Sequence, residues 1–328
     1  MCGVFAVGFF DEVNSNKYKN FLSAANKSLL DLNHRGPDNA DLISVSNNFL
    51  MGHTRLSING LVPEYNQPYP NNLDSSSCGK IIFNGEIFNF KELEKGAKCD
   101  TSVVFNYLEK SEFSDNKIMS TLSNFNGMWA FIYYKNNKIL VSRDRFGEKP
   151  LFYYQDKSFI VFSSETFALK SFLKKCIKNY SKKNIYEFPS ASYAILDLTK
   201  YESKIEAIKY YSNEINDFDM QAKDFKKIFS SAVSRRLISD VPLAFTLSGG
   251  LDSSLVVAQA AQFIDPKKLS AYCAVPSKGF SEEYWAEKAA TEIGCNLNIV
   301  TYTPSDYIKA FKFIQNKLPK DIRSPSSV

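Results

Sequence analysis

Over the first 200 residues the apolar positions fall into short runs at residues 4–10, 49–53, 80–83, 129–134, 138–142, 151–154 and 159–163, each bounded by turn-forming residues. This is the pattern of β-strands. Residues 20–32 and 101–109 instead carry apolar groups at three- and four-residue spacing, which predicts amphipathic helices packed on those strands, an α+β domain. Residues 199–218 are polar, mixed in charge and aperiodic, so we expect a linker, or an ordered connector over 201–211, between a first domain at 2–198 and a second at 219–328. In the second domain a helical stretch (220–238) is followed by an apolar strand (241–247), a Ser-Gly-Gly turn and a helix (251–261). Further strands are expected at 269–275 and 297–302, around a helix at 281–293. Strand, glycine-rich turn and helix in succession predict an α/β fold. Three parallel strands are few for such a sheet, so the α/β domain is expected to be incomplete.

Composition narrows the choices. With 44% hydrophobic residues and 27 Phe, 18 Tyr and 2 Trp, the 328-residue chain has ample apolar area for packed cores. A net charge of +5 without a basic, aromatic-interleaved stripe argues against a nucleic-acid partner, and the lysine-rich stretch at 174–183 reads as solvated surface. No apolar stretch approaches the ~20 residues of a membrane span, and no basic segment precedes an apolar one at the N-terminus. A cytoplasmic protein with no membrane partner is expected. The six cysteines form no CxxC pair, and only His34 and His53 accompany them, which argues against a disulfide framework and a structural zinc site alike. With so few histidines, a nucleophile here uses His34 or His53 or else needs another base.

Cys2 offers one. Removal of Met1, which a small second residue permits, leaves a thiol and a free α-amine on one residue. An α-amine titrates near 7.7–8.0 and a thiol near 8.5, so the amine can accept the thiol's proton at neutral pH. The segments Met1-Cys2-Gly3-Val4-Phe5-Ala6, His34-Arg35-Gly36-Pro37-Asp38, Gly52-His53-Thr54-Arg55-Leu56-Ser57-Ile58, Asn66-Gln67-Pro68, Asn84-Gly85-Glu86-Ile87-Phe88-Asn89 and Arg143-Asp144-Arg145-Phe146-Gly147-Glu148-Lys149-Pro150-Leu151-Phe152-Tyr153 follow in order. Together they resemble the glutaminase domain of asparagine synthetases, within the class II glutamine amidotransferases, over nearly the first 170 residues.

The resemblance implies an N-terminal-nucleophile αββα sandwich with Cys2 as the nucleophile. It assigns the oxyanion donors to the Asn84 side chain and the Gly85 backbone N–H, donor types suited to a developing negative charge. Glutamine's α-carboxylate falls to Arg55, a planar two-pronged donor, and its α-ammonium to Asp100. Leu56, Ser57, Ile58 and Glu86 complete the implied glutamine site. Two places beyond Asp100 the family usually has an acidic residue, where this chain has Ser102. His34, His53, Arg143 and Asp144 read as architectural.

A second candidate site is Ser248-Gly249-Gly250-Leu251-Asp252-Ser253-Ser254, where successive backbone N–H groups, hydroxyls and a helix N-terminus suit phosphate oxygens. It lacks the Gly-Lys-Ser/Thr ending of a Walker A loop and resembles the pyrophosphate loop of N-type ATP pyrophosphatases. That likeness implies ATP at Ser248, Gly249, Gly250, Asp252, Ser253 and Ser254, its adenine near Leu247 and Ala274. It also implies Mg2+ held by pyrophosphate and contacted by Asp252, with no metal site built from protein ligands alone. Joined to a glutaminase, the implied chemistry transfers glutamine's amide nitrogen as ammonia to an aspartyl adenylate made from aspartate and ATP. Asparagine, glutamate, AMP and pyrophosphate result. In the synthetases so resembled, a Gly/Asp/Glu-rich segment follows further on, so a truncated synthetase is expected, completed by a second chain or paired as a homodimer. The alternatives are amidation of another carboxylate, a stand-alone glutaminase, and a non-catalytic glutamine-binding protein.

Overall fold

The central strand of the first unit, β1 (Gly3–Phe9), is buried along its whole length, and its sequence GVFAVGF is apolar on both faces because both faces are covered. Phe5, Val7 and Phe9 pack under α1 (Ser15–Leu30) and α5 (Thr166–Cys176), while Val4 and Ala6 face a second sheet. The structure is a computed structural model that describes residues 1–10, 13–71, 78–177, 184–200, 204–212, 222–279 and 281–317. It divides into two units, Met1–Glu214 and Ile215–Val328. Much of the expected linker at 199–218, the start of the helix expected from 220, and residues 318–328 lie outside the described residues.

In the first unit, six strands in the order β2-β3-β1-β8-β7-β9 form one sheet: β2 (Asn39–Ser46), β3 (Phe49–Arg55), β7 (Phe152–Gln155), β8 (Phe159–Ser163) and β9 (Ile185–Glu187) join β1. Five more, β4 (Lys80–Ile87), β5 (Gly127–Lys135), β6 (Lys138–Arg143), β10 (Ser192–Asp197) and β11 (Ile208–Lys209), form the second in the order β11-β10-β6-β5-β4. Every pairing in both is antiparallel. Side chains such as Met51, Ile82, Ile132, Val141 and Phe162 fill the space between the sheets. The short α2 (Phe90–Leu93) leads to α3 (Asp100–Ser111) and α4 (Asp115–Asn124), and α3 packs on β4. The result is the expected αββα sandwich.

One consequence of the topology positions the site. Strand β4 ends its sheet, so every second residue turns its backbone N–H and C=O outward, away from β5. Ile81 meets Tyr69 there in both directions at 2.8 Å. At Phe83 the N–H donates to Gln67 Oε1 (2.6 Å) and the C=O accepts from His53 Nε2 (3.1 Å). At Ile87 the N–H donates to Asp100 Oδ2 (2.9 Å). The same alternation turns Gly85 outward between the last two.

The second unit holds three parallel strands, β12 (Ala244–Thr246), β13 (Ser270–Pro276) and β14 (Asn296–Tyr302), in that order. The helices are α6 (Ala222–Arg236), α7 (Leu251–Ala260), α8 (Glu283–Ile293) and α9 (Pro304–Lys317). Val233, Val257 and Ala290, from α6, α7 and α8, join Leu247 and Ala271 in its core. The sequence reading placed no helix after β14. Helix α9 begins with a reciprocal cap: Thr303 N–H and hydroxyl donate to Asp306 Oδ2, and Asp306 N–H donates back to Thr303 Oγ1.

Candidate active site

Cys2 lies just ahead of β1 and is held by its backbone. The Arg35 Nε donates to the Cys2 carbonyl at 2.8 Å, and the same buried guanidinium pairs with the buried Glu165 carboxylate. Next along the chain, Val4 N–H donates to Ser164 Oγ at 2.9 Å. The thiol is therefore placed by anchored main chain, and Leu56 N–H donates to its Sγ at 3.4 Å.

A cavity of about 60 Å³ opens beside it, lined by Cys2, Arg55, Leu56, Ile58, Asn84, Gly85, Glu86 and Asp100 among others. Met1 forms part of its wall, so loss of that residue enlarges it. Of the residues expected at the glutamine site only Ser57 stays out of the lining; its N–H donates to Asp38 Oδ2 at 2.7 Å instead. Six lining residues have no role in the sequence reading: Asn59, Gln67, Phe83, Cys99, Thr101 and Lys149. Gln67 and Lys149 stood inside quoted motifs, so their sequence signal was present.

Asn84 is 1% exposed, and its Nδ2 has no hydrogen-bond partner among the described residues. A buried unpaired amide donor is costly in an ordinary core. Here it lines the cavity with the outward N–H of Gly85 one residue away. Glycine is required at 85 on steric grounds, since a Cβ would lie 2.2 Å from the Met128 carbonyl oxygen on β5.

Arg55 is committed differently from the expectation. Its Nη1 donates to Val62 O (3.2 Å) and Asn66 Oδ1 (2.7 Å), and its Nη2 to the carbonyls of Asn59 (3.3 Å) and Gly60. All four terminal N–H groups brace the loop that follows β3, leaving Nε–H. The charge still lines the cavity.

Burial sets the protonation pattern. The Cys2 thiol is pushed up by desolvation, with the Leu56 backbone opposing, so it stays protonated at neutral pH. The chain's N-terminal amine, here that of Met1, is pulled down by desolvation, with Arg35 and Lys149 adding to the fall, and so favours its basic form. Asp100 is raised to about 6 by burial, despite hydrogen bonds from Ile87 and Thr101 N–H. Glu86 is raised and Lys149 lowered, each chiefly by burial. His53 is fully buried and lowered to about 3 by desolvation, so it is neutral and donates through Nε2 to Phe83 O.

In the second unit the loop between β12 and α7 is knit together by its serines. Ser248 Oγ and Ser253 Oγ are 3.0 Å apart, Ser248 N–H donates to Ser253 Oγ (3.2 Å), and Gly250 N–H donates to Ser248 Oγ (3.3 Å). Gly249 adopts φ +78°, and a Cβ there would strike the Trp285 backbone of α8 at 2.3 Å. Ser254 Oγ is buried and finds no partner among the described residues. Asp252 stands exposed on the first turn of α7. The Leu247 side chain is fully buried in the core, whereas Ala274 sits on the exposed face of β13, so the structure does not bring those two side chains together. None of the six cysteines forms a disulfide. No described helix is long and apolar enough to cross a membrane. Among the described residues no group of three or more His, Cys, Asp or Glu is placed to hold a metal ion.

Comparison with known proteins gives two family matches: a glutamine amidotransferase domain over residues 1–224 and an asparagine synthase segment over 224–320. A Methanocaldococcus jannaschii protein named for glutamine-hydrolysing asparagine synthetase is 31% identical over 87% of this chain and 61% of its own. Asparagine synthetase B of Escherichia coli is 28% identical over 90% of this chain and 50% of its own, and the Gallus gallus enzyme 28% over 94% and 58%. The chain spans little more than half the length of these curated relatives. A solved glutamine phosphoribosylpyrophosphate amidotransferase from B. subtilis overlaps 91% of this chain and 65% of its own, with a TM-score of 0.49 and 16% identity. Since the first family match takes in 224 of its 328 residues, the chain belongs to the glutamine amidotransferase family, joined here to an asparagine synthase segment.

Proposed function

We propose that the first unit hydrolyses glutamine at Cys2 and that the chain serves glutamine-dependent amidation, with aspartate as acceptor and asparagine as product. The observation that carries the first step is the unpaired Asn84 Nδ2 beside the outward Gly85 N–H, both in the cavity of Cys2. The glutaminase domain is assigned to residues 2–198 and the partial synthetase domain to 219–328.

With Met1 removed, the α-amine of Cys2 takes the thiol's proton and the sulfur attacks glutamine's side-chain carbonyl carbon. The oxygen turns negative between Asn84 Nδ2 and Gly85 N–H, two donors already in place and so stabilising the charge without reorganisation. Ammonia leaves with the proton held by the amine, and water then releases glutamate from the thioester. Asp100 meets the substrate's α-ammonium and Arg55 supplies positive charge for the α-carboxylate, while Leu56, Ile58 and Glu86 shape the remaining wall and Ser57 fixes the loop through Asp38.

In the second unit the loop at Ser248, Gly249, Gly250, Asp252, Ser253 and Ser254 suits the phosphates of ATP. Support comes from the unpartnered Ser254 hydroxyl and the tight seat of Gly249 against α8. Leu247 would meet the nucleotide through its backbone and Ala274 through the exposed sheet face, with Mg2+ near Asp252. ATP bound there would supply activation of the acceptor carboxylate.

Amide-¹⁵N glutamine, aspartate and Mg-ATP followed by NMR test the whole reading. Label in asparagine is the expected result; label only in ammonium would confine the activity to glutamine hydrolysis, and unconsumed glutamine would overturn both steps.

The Asp100 assignment predicts a pH dependence. As pH falls through about 6 the carboxylate protonates and loses its attraction for an ammonium. In a Cys2→Ala variant, calorimetry should show glutamine affinity flat above that pH and falling about tenfold per unit below it. The sign for stability is opposite: a carboxyl raised above its ordinary value stabilises the free protein below about pH 4, and that contribution is lost as pH rises through about 6. Affinity independent of pH between 5 and 7 would remove Asp100 from the site.

A further inference from the structure

The loop from Asp144 to Leu151, between β6 and β7, is built around one side chain that the scheme above leaves unused. Asp144 accepts the backbone N–H groups of Phe146 (3.0 Å), Glu148 (2.9 Å) and Lys149 (3.0 Å). Arg143 donates to the carbonyls of Gly147 (2.7 Å), Lys149 (2.7 Å) and Phe188 (2.8 Å). Gly147 turns the chain at φ +69°. Both polar groups of the Lys149 peptide are thus fixed by the architectural pair Arg143 and Asp144. The side chain they deliver is buried and lines the cavity that holds Cys2 and the chain's N-terminus. Among the described residues no carboxylate lies within ion-pair distance of it.

A buried ammonium without a partner is unfavourable for folding, and such groups are found where a site uses their charge. The charged and titratable groups acting on the N-terminal amine, which here is that of Met1, in the same cavity as Cys2 and one residue ahead of the amine its removal would free, are Cys2, Arg35 from the turn after α1, Glu86 from β4, and Lys149. Arg55 and Asp100 face the thiol. Of the two cations acting on that amine, Arg35 is paired with Glu165, whereas Lys149 has no carboxylate within ion-pair distance among the described residues.

We propose that Lys149 is a positioning residue of the glutaminase site, whose ammonium holds the adjacent α-amine in the unprotonated form that accepts the Cys2 proton. This rests on the glutaminase reading above. A second cation near the amine disfavours its protonated form, and Glu86, which favours the charged form of both the amine and Lys149, opposes that effect. Lys149 is itself lowered, chiefly by burial, with Arg35 adding to the fall and Glu86, Glu148 and Asp144 opposing it.

The test compares Lys149→Met and Lys149→Arg for glutamine hydrolysis between pH 5.5 and 9.5. In Lys149→Met the acid limb of kcat/KM should move up by about 0.5–1 pH unit, so the rate at pH 6.5 falls about three- to tenfold and converges on that of the unmodified protein by pH 9. Lys149→Arg should keep the limb in place. A uniform loss at every pH, or an unmoved limb, overturns the proposal. A second readout needs no turnover: in the Cys2→Ala background, with and without Lys149→Met, acetic anhydride labels the α-amine across the same pH range and mass spectrometry of the N-terminal peptide reads the midpoint. An upward shift in the doubly substituted protein supports the proposal, and coincident midpoints overturn it even if the protein proves to hydrolyse no glutamine.

Discussion

Replacing Cys2 with alanine is expected to abolish glutamine hydrolysis, by at least about 10⁴-fold, while the protein stays folded. The side chain contributes little to packing: its thiol accepts one long hydrogen bond from Leu56 N–H and donates weakly to Leu56 O at 3.7 Å, whereas the anchoring contacts of residue 2 are made by its carbonyl. No neighbour can substitute as nucleophile. Cys99 lines the same cavity, but burial, reinforced by Asp100, pushes its thiol up to about 12, so it has no useful thiolate fraction at neutral pH. The Thr101 hydroxyl already accepts from Gln67 Nε2 at 3.3 Å. Glutamate release is the measurement, paired with a thermal melt. Turnover retained in a folded variant would remove Cys2 as nucleophile, and loss of turnover together with a collapsed melt would make its role structural.

Asn84→Ala should lower kcat by about 10²–10³ with a much smaller change in KM, the signature of a donor used in the transition state alone. The physical reason lies in the strand. The backbone of Asn84 is held by pairing with Ala130 on β5, and the flanking outward groups of Phe83 and Ile87 are capped by His53, Gln67 and Asp100, so the side chain has little freedom to move toward another partner. Because its Nδ2 is unpaired in the folded protein, its removal relieves a buried unsatisfied donor while opening a small gap, and the melting temperature should shift by only a few degrees. A rise in KM at constant kcat would reassign Asn84 to ground-state binding.

Much of this was legible in the amino-acid pattern, and what was not has identifiable causes. The runs at 4–10 and 129–134 announced β1 and β5 because strands covered on both faces must be apolar at nearly every position. Strand β2 went unread because it is an edge strand with half-buried, mixed side chains and no such constraint. Helices α4 and α5 were passed over although Ile118, Leu122, Leu169 and Phe172 are buried from them. At the site, Cys2, Asn84, Gly85 and Asp100 were found through motif resemblance, and they converge on one cavity. That Arg55 holds a loop, that Gln67 and His53 take up the N–H and C=O of Phe83, and that Lys149 lines the same cavity as the N-terminus are facts of chain crossing between sheets. Local spacing carries no information about them.

An open sheet edge is a template on which another chain can lay a strand. On β4 the outward peptides at Ile81, Phe83 and Ile87 are each taken up by a partner from within the protein, three of those contacts being made by side chains. Among the described residues, what remains at Gly85 is a gap one peptide long, between capped neighbours about 7 Å away on either side. A foreign strand needs several consecutive pairings to dock and finds one; a single side-chain amide needs no more than that. The occupancy that leaves Gly85 exposed to the cavity thus also shields the edge of the sheet from self-association.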